Sequence, residues 1–323
     1  PGPGADTVAR PQVMAGLKQA LRRLRDAIHP PRREMPFDWF TAAEVQACLD
    51  APGAEPDAQR IDAQTCLDLN LPDYARALLQ HHSIFARQYF EQRFRCGAPA
   101  DEAARFMDGA EALANHPAAR AHLSHTLQPL RLIQHEVASL LFGAQPSLLP
   151  SAFQRLQQAD KAGLLASALA IAWPAWPAWV LLTLYVVFSL RTQVRHYRDL
   201  KRWTDRRDAL RAMLGVAGAL AQTSGRLPAE LRPPDQPAAA DVARLAALLR
   251  PGLLARSPAT AEYANFLFLY EYARASRASA VVAANRSTLQ SVFQHVARLE
   301  LQLAVAQAMT AGGTTRRPAL STT

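Results

Sequence analysis

The stretch from Ala162 to Leu190 constrains this chain more than any other. It holds 29 residues with no ionisable acid or base apart from Tyr185. About 20 apolar residues cross a bilayer as a helix, and a run that is apolar on every face does not suit a half-wet surface helix. Lys161 stands before it, and Arg191, Arg195, Arg198, Lys201 and Arg202 follow it. Two prolines, Pro174 and Pro177, each remove a backbone donor and push the preceding residue out of helical geometry, so a break is expected around Trp173 to Trp179. The arms on either side, Ala162 to Ala172 and Ala178 to Leu190, reach only about 16 to 20 Å each, short of a roughly 30 Å hydrocarbon core. Trp173, Trp176 and Trp179 cluster at the turn and are read as membrane-interface residues. A membrane-dipping helical hairpin fits this pattern, and one kinked transmembrane segment fits its length. The remaining alternative is a hairpin buried in a large helical core.

The charge balance points the same way. The 323 residues carry a net charge of +9 and half of them are apolar, which favours an anionic partner and leaves ample material for a core. Between Arg191 and Arg211, basic residues are interleaved with Tyr197 and Trp203. Arg191, Arg195, Arg198, Lys201, Arg202, Arg206 and Arg207 are therefore candidates for binding lipid headgroups or nucleic acid, and their place beside the apolar run favours headgroups. Cys48, Cys66 and Cys96 have no metal or redox spacing and read as reduced thiols, with the bulk of the chain on the cytoplasmic side of a membrane. The sequence opens at Pro1 with no signal peptide or cleavage site in view, so a fragment or processed product is expected.

The rest reads as helix. Val13 to Ile28 forms an amphipathic basic helix, stopped by Pro30 and Pro31; it either docks on an acidic surface or packs on the body with a solvated basic face. Thr41 and Glu44 have capping-box spacing, and Ala51 to Asp57 is a linker. Leu69, Leu71, Leu78, Leu79, Phe85, Tyr89 and Phe94 are expected in the core. Helices punctuated by Asn115, His116 and Pro117 follow, with Leu113, Leu123, Leu127, Leu130, Ile133, Val137, Leu140 and Leu141 as their buried stripe. His122 and His125 share a helix face near His116 and His135, but no cysteine or carboxylate completes a ligand set, so no metal site is assigned. A last long helix carries Leu289, Val292, Phe293, Val296, Leu299, Leu303 and Ala306 on one side.

Two phrases resemble the core domain of MutS-like proteins, the DNA mismatch repair ATPases and their membrane-bearing relatives. One runs from Arg60-Ile-Asp-Ala-Gln-Thr-Cys-Leu-Asp-Leu69, through a helix at Tyr74 to Gln80, to Ser83-Ile-Phe-Ala-Arg-Gln-Tyr-Phe-Glu-Gln-Arg-Phe94. The other is Val296-Ala-Arg-Leu-Glu-Leu-Gln-Leu-Ala-Val-Ala306, preceded by Asn265-Phe-Leu-Phe-Leu269 and Asn285-Arg286. Ala86, Phe90, Ala297 and Ala304 depart from the family pattern. Arg317 to Leu320 is similar to the strand that leads into the family's ATPase domain. The resemblance implies an all-α, multi-helical core whose two halves are joined through long lever helices, with duplex DNA as a partner and ATP and magnesium as cofactors of that ATPase domain, through which a homodimer would form. No Gly-x-x-x-x-Gly-Lys-Ser/Thr or other catalytic motif occurs here, so no catalytic or cofactor-binding residue is assigned.

The expected organisation is an N-terminal helix and linker over 1–57, a first core half over 58–160 and the apolar hairpin or span over 161–191. A basic juxtamembrane helix over 192–225, a Pro-rich loop and short helix over 226–260, a second core half over 261–310 and a tail over 311–323 complete it. The expected function is a membrane-associated core and lever segment that couples nucleotide-driven motion to DNA or membrane. The alternative is a membrane-anchored helical scaffold with no nucleic-acid role.

Overall fold

In the computed structural model, residues 34–49, 60–143, 176–231, 238–250 and 270–312, together with Gly163, are described. The chain divides after Glu34, and all the described helices belong to the larger unit, from Met35 onward. The basic helix expected at Val13 to Ile28, the linker at Ala51 to Asp57, Trp173 and the tail from residue 313 lie outside the described residues. No strand occurs among the described residues, so the fold is all-α as its periodicity demands.

Local signals set the helix starts. In α1 (Ala42–Gln46) the Thr41 side chain accepts from Glu44 N–H while Glu44 accepts from Thr41 N–H, a reciprocal capping box. Asp62 caps α2 (Ala63–Asp68) by accepting from Thr65 N–H at 2.6 Å. Asn70, at φ 53°, turns the chain into α3 (Leu71–Leu79). Ser83 caps α4 (Ile84–Cys96), which ends at Gly97 with φ 72°, a conformation that favours glycine. Helix α5 (Ala100–Asn115) stops at His116, and Pro117 opens α6 (Pro117–Leu127). Helix α7 (Ala138–Phe142) is started by the buried Glu136, which accepts from Ser139 N–H at 2.9 Å. The long α8 (Trp176–Gln222), α9 (Ala239–Leu248), α10 (Tyr270–Ala284) and α11 (Arg286–Ala311) complete the described elements.

Helix α11 is the centre of the body. It packs against α3, α4, α5, α6 and α7 from the first half of the chain, and against α8 and α10 from the second. All seven residues of its expected stripe are at most 1% exposed. Phe293 meets Phe85 of α4 at 5.4 Å between ring centroids and Phe142 of α7 at 5.3 Å, which ties three segments by aromatic contact. Gly109 of α5 permits the close approach to α11, because a Cβ there would collide with the Gln302 side chain, whose amide donates to Phe106 C=O at 2.9 Å.

Several boundaries and burials differ from the sequence reading. The last long element is two helices parted at Asn285, whose side-chain amide donates to Val281 C=O at 2.8 Å. Leu69 and Phe94, core residues by their spacing, are 57% and 38% exposed. Leu69 terminates the short α2, where no later helix among the described residues covers it, and Phe94 rests against Phe90 at 4.5 Å on the rim of a groove. Most consequential is α8, a single helix from Trp176 to Gln222 with no interruption where the apolar run gives way to the basic one. Pro177 lies in its first turn, where a missing N–H costs nothing.

Candidate lipid and polyanion interface

Helix α8 has two different halves. From Leu200 onward it is part of the core, with Leu200, Trp203, Leu210, Met213, Leu214 and Leu220 buried. Before that point it projects, and its apolar side chains stand in the open: Trp176 is 79% exposed, Leu184 60% and Val187 56%. At 1.5 Å per residue the projecting part from Trp176 to Asp199 is about 35 Å long. Among the described residues, no helix is long and apolar enough to cross a membrane.

Helical geometry puts these side chains and the basic ones in register. Val180, Leu184, Val187, Arg191, Arg195, Arg198 and Arg202 recur at steps of three and four, so they share a sector of roughly 80° at about 100° per residue. All seven are exposed. The result is one continuous stripe, apolar toward Trp176 and basic toward the core. Lys201 is exposed on the flank of the basic part. No carboxylate among the described residues pairs with Arg191, Arg195, Arg198, Lys201 or Arg202.

Two of the candidate basic residues do something else. Arg206 donates to Glu136 Oε1 at 3.2 Å, and that carboxylate is almost fully buried while it also caps α7. The guanidinium therefore ties α8 to α7. Arg207 is 6% exposed and pairs with Asp208 at 3.3 Å. Basic composition alone groups both with the basic surface; Arg207, four residues after Trp203 and three before Leu210, lies on the buried side of α8, and the packing of α8 against α6 and the turn at 128–132 brings Arg206 to Glu136.

Of the three tryptophans, Trp176 and Trp179 are exposed at the apolar end of α8. Outside the exposed stripe, one contact to this end is described. Gly163 is buried, and a Cβ on it would collide with the Tyr185 ring, so the backbone at Gly163 lies directly against α8. Tyr185 occupies the side of α8 that, further along, faces the core through Trp203 and Leu214, roughly 120° around the helix from the middle of the exposed stripe.

Nothing elsewhere among the described residues assembles reaction chemistry. No three His, Cys, Asp or Glu side chains among them gather as a metal group. Burial pushes the Cys48 thiol up to about 12, and the thiol donates to Gln88 C=O, so it is packed and unreactive. A groove of about 410 Å³ between α3, α4, α5 and α11 is lined by apolar side chains including Tyr89, Phe106 and Val305, and its one guanidinium, Arg93, is paired with Glu102. The fold and its surface thus define a class, an all-α body from which one continuous helix projects, greasy at its end and basic at its neck. Comparison with family models, with curated proteins and with solved structures finds no match in any of the three.

Proposed function

We propose that this chain is a membrane-associated MutS-like core and lever segment, in which the projecting half of α8 is held by lipid while its buried half is rooted in the helical core. The observation that carries the reading is the continuity of α8: whatever displaces its exposed end is transmitted without a hinge to the helices around α11. A further support is that the two phrases behind the MutS resemblance meet. Ser83 of the first donates its hydroxyl and its N–H to the carboxylate of Glu300 in the second, the N–H at 2.8 Å, in a site closed to water. On this reading the apolar end stands where DNA-bound relatives carry a DNA clamp, and the motor that moves the lever is not encoded in these residues. No residue of this chain is assigned a catalytic role.

A second reading, a membrane-anchored scaffold without a nucleic-acid role, is favoured by one observation. Arg206 is paired with the buried Glu136 and Arg207 is itself buried beside Asp208, which shortens the basic row available to a duplex. Flotation of the purified chain with vesicles of phosphatidylcholine and phosphatidylglycerol, beside duplex DNA binding over a salt series, separates the two. The lever reading expects flotation together with DNA affinity that falls steeply with salt, by several phosphate contacts' worth of slope. Flotation with a flat salt response leaves the scaffold. A chain that stays in the aqueous fraction at every vesicle composition sinks both.

A further inference from the structure

Given that membrane reading, on which this inference rests, we infer that α8 enters an anionic leaflet end-on, with lipid phosphates at the level of Arg191 to Arg198, rather than lying along its surface. A helix that lies flat on lipid is divided lengthwise, apolar on one side and polar on the other. Helix α8 is divided across its axis instead. Above Arg191 the exposed side chains among the described residues are Trp176, Trp179, Val180, Thr183, Leu184, Val187, Phe188 and Leu190, apolar but for Thr183, whose hydroxyl donates to Trp179 C=O; at about 100° per residue they span close to half the circumference. Below Arg198 the exposed side chains over the same arc are Asp199, Lys201 and Arg202. Between them, Val194 and Tyr197, 79% and 61% exposed, alternate with Arg191, Arg195 and Arg198. Apolar, aromatic and guanidinium groups mixed over about 10 Å of helix match the headgroup zone, where long basic side chains reach phosphate and rings lie between lipid and water.

Magnitudes support one leaflet as the site of entry. From Trp176 to Arg191 the helix rises about 22 Å, which passes the middle of a roughly 30 Å hydrocarbon core without reaching the far headgroups. The contact between Gly163 and Tyr185 fits this too, since it lies outside the sector of the exposed stripe and leaves that sector for lipid. A second copy of the chain is a poorer occupant. Parallel pairing along the stripe would bring Arg191, Arg195, Arg198 and Arg202 against their own counterparts, and like charges face to face are destabilising. Anionic phosphate supplies the countercharge.

The test is depth measured by spin label on the intact chain in vesicles of seven parts phosphatidylcholine to three parts phosphatidylglycerol. Labels go on Val180→Cys, Leu184→Cys, Val187→Cys, Val194→Cys and Arg202→Cys in a Cys96→Ser background, Cys48 and Cys66 being buried. End-on entry predicts depth that falls steadily along the helix, with position 180 up to about 21 Å deeper than position 194 and position 202 in water. It also predicts that Arg191→Glu with Arg195→Glu weakens flotation about ten-fold or more, while Lys201→Glu with Arg202→Glu, about 5 to 6 Å beyond Arg198 on the aqueous side, weakens it less than about three-fold. Equal depths along the stripe, or equal losses from the two charge pairs, overturn end-on entry and leave membrane association standing. Failure of the unmodified chain to float overturns both.

Discussion

At the scale of single residues, the most consequential group is Glu300. It is fully buried and accepts two hydrogen bonds from Ser83, while Nδ1 of the buried His82 side chain lies 3.8 Å from Oε1. Glu300→Ala would leave the Ser83 N–H and hydroxyl without partners in a closed site, at a cost of roughly 2 to 4 kcal/mol. Glu300→Gln keeps one acceptor and is expected to cost about half as much. Urea unfolding of the three proteins checks the order. His295 supplies a pH dependence. Burial, and then Arg298, hold its imidazole down to about 4 in the folded chain, against an ordinary 6.5. The unfolded chain therefore binds a proton first as pH falls, and this residue's contribution to stability is intact above pH 6.5 and lost progressively toward pH 4. The loss is on the order of 3 kcal/mol at most. His295→Gln should flatten that part of the stability profile, measured by urea midpoints between pH 7 and 4.5. Some of this is open to sequence reading. Glu300 falls among Val296, Leu299 and Leu303 on the buried stripe of α11, and an acid in that position signals a paired carboxylate; its partner, 217 residues away, is given only by the fold.

At the scale of elements, what the sequence declares depends on how local the determinant is. The capping box at Thr41, the break at His116 and Pro117, and the leucine stripe from Leu113 to Leu141 are fixed by residues three or four positions apart, and all are present as read. The fate of Arg206 is not readable, because a basic residue at helical spacing looks the same whether it meets water or Glu136, whereas Arg207 is in step with the buried Trp203, Leu210 and Leu214 and its burial follows from spacing. Nor is the continuity of α8, since a change from apolar to basic composition suggests two environments and only the backbone shows that one helix spans them. The α5 to α11 contact offers a test of packing at this scale. Gly109→Val must displace Gln302 from Phe106, and a loss of about 2 to 3 kcal/mol with unchanged helix content by circular dichroism is expected. A breaker in the projecting half acts differently. Arg195→Pro should leave thermal unfolding of the core within a few degrees of the unmodified chain while uncoupling the apolar end, because residues before Leu200 contribute little burial.

At the scale of the whole molecule, a body with α11 at its centre holds one end of a helix whose other end offers greasy surface to the surroundings. Exposed apolar patches of this extent, bordered by arginines that meet no carboxylate among the described residues, mark a surface that another phase or molecule covers. The charges at the neck and the apolar end together select lipid, and the buried root of α8 makes the attachment a mechanical one. The central claim is that lipid solvates Trp176 to Leu190 while the helices around α11 stay folded together. Hydrogen exchange by mass spectrometry, with and without anionic vesicles, tests this most directly. The account predicts that vesicles slow exchange strongly over residues 178 to 198 and leave residues 200 to 222 and 289 to 306 as slow as before. Equal exchange over 178 to 198 in both conditions, or loss of protection in α11 when vesicles are added, would contradict it.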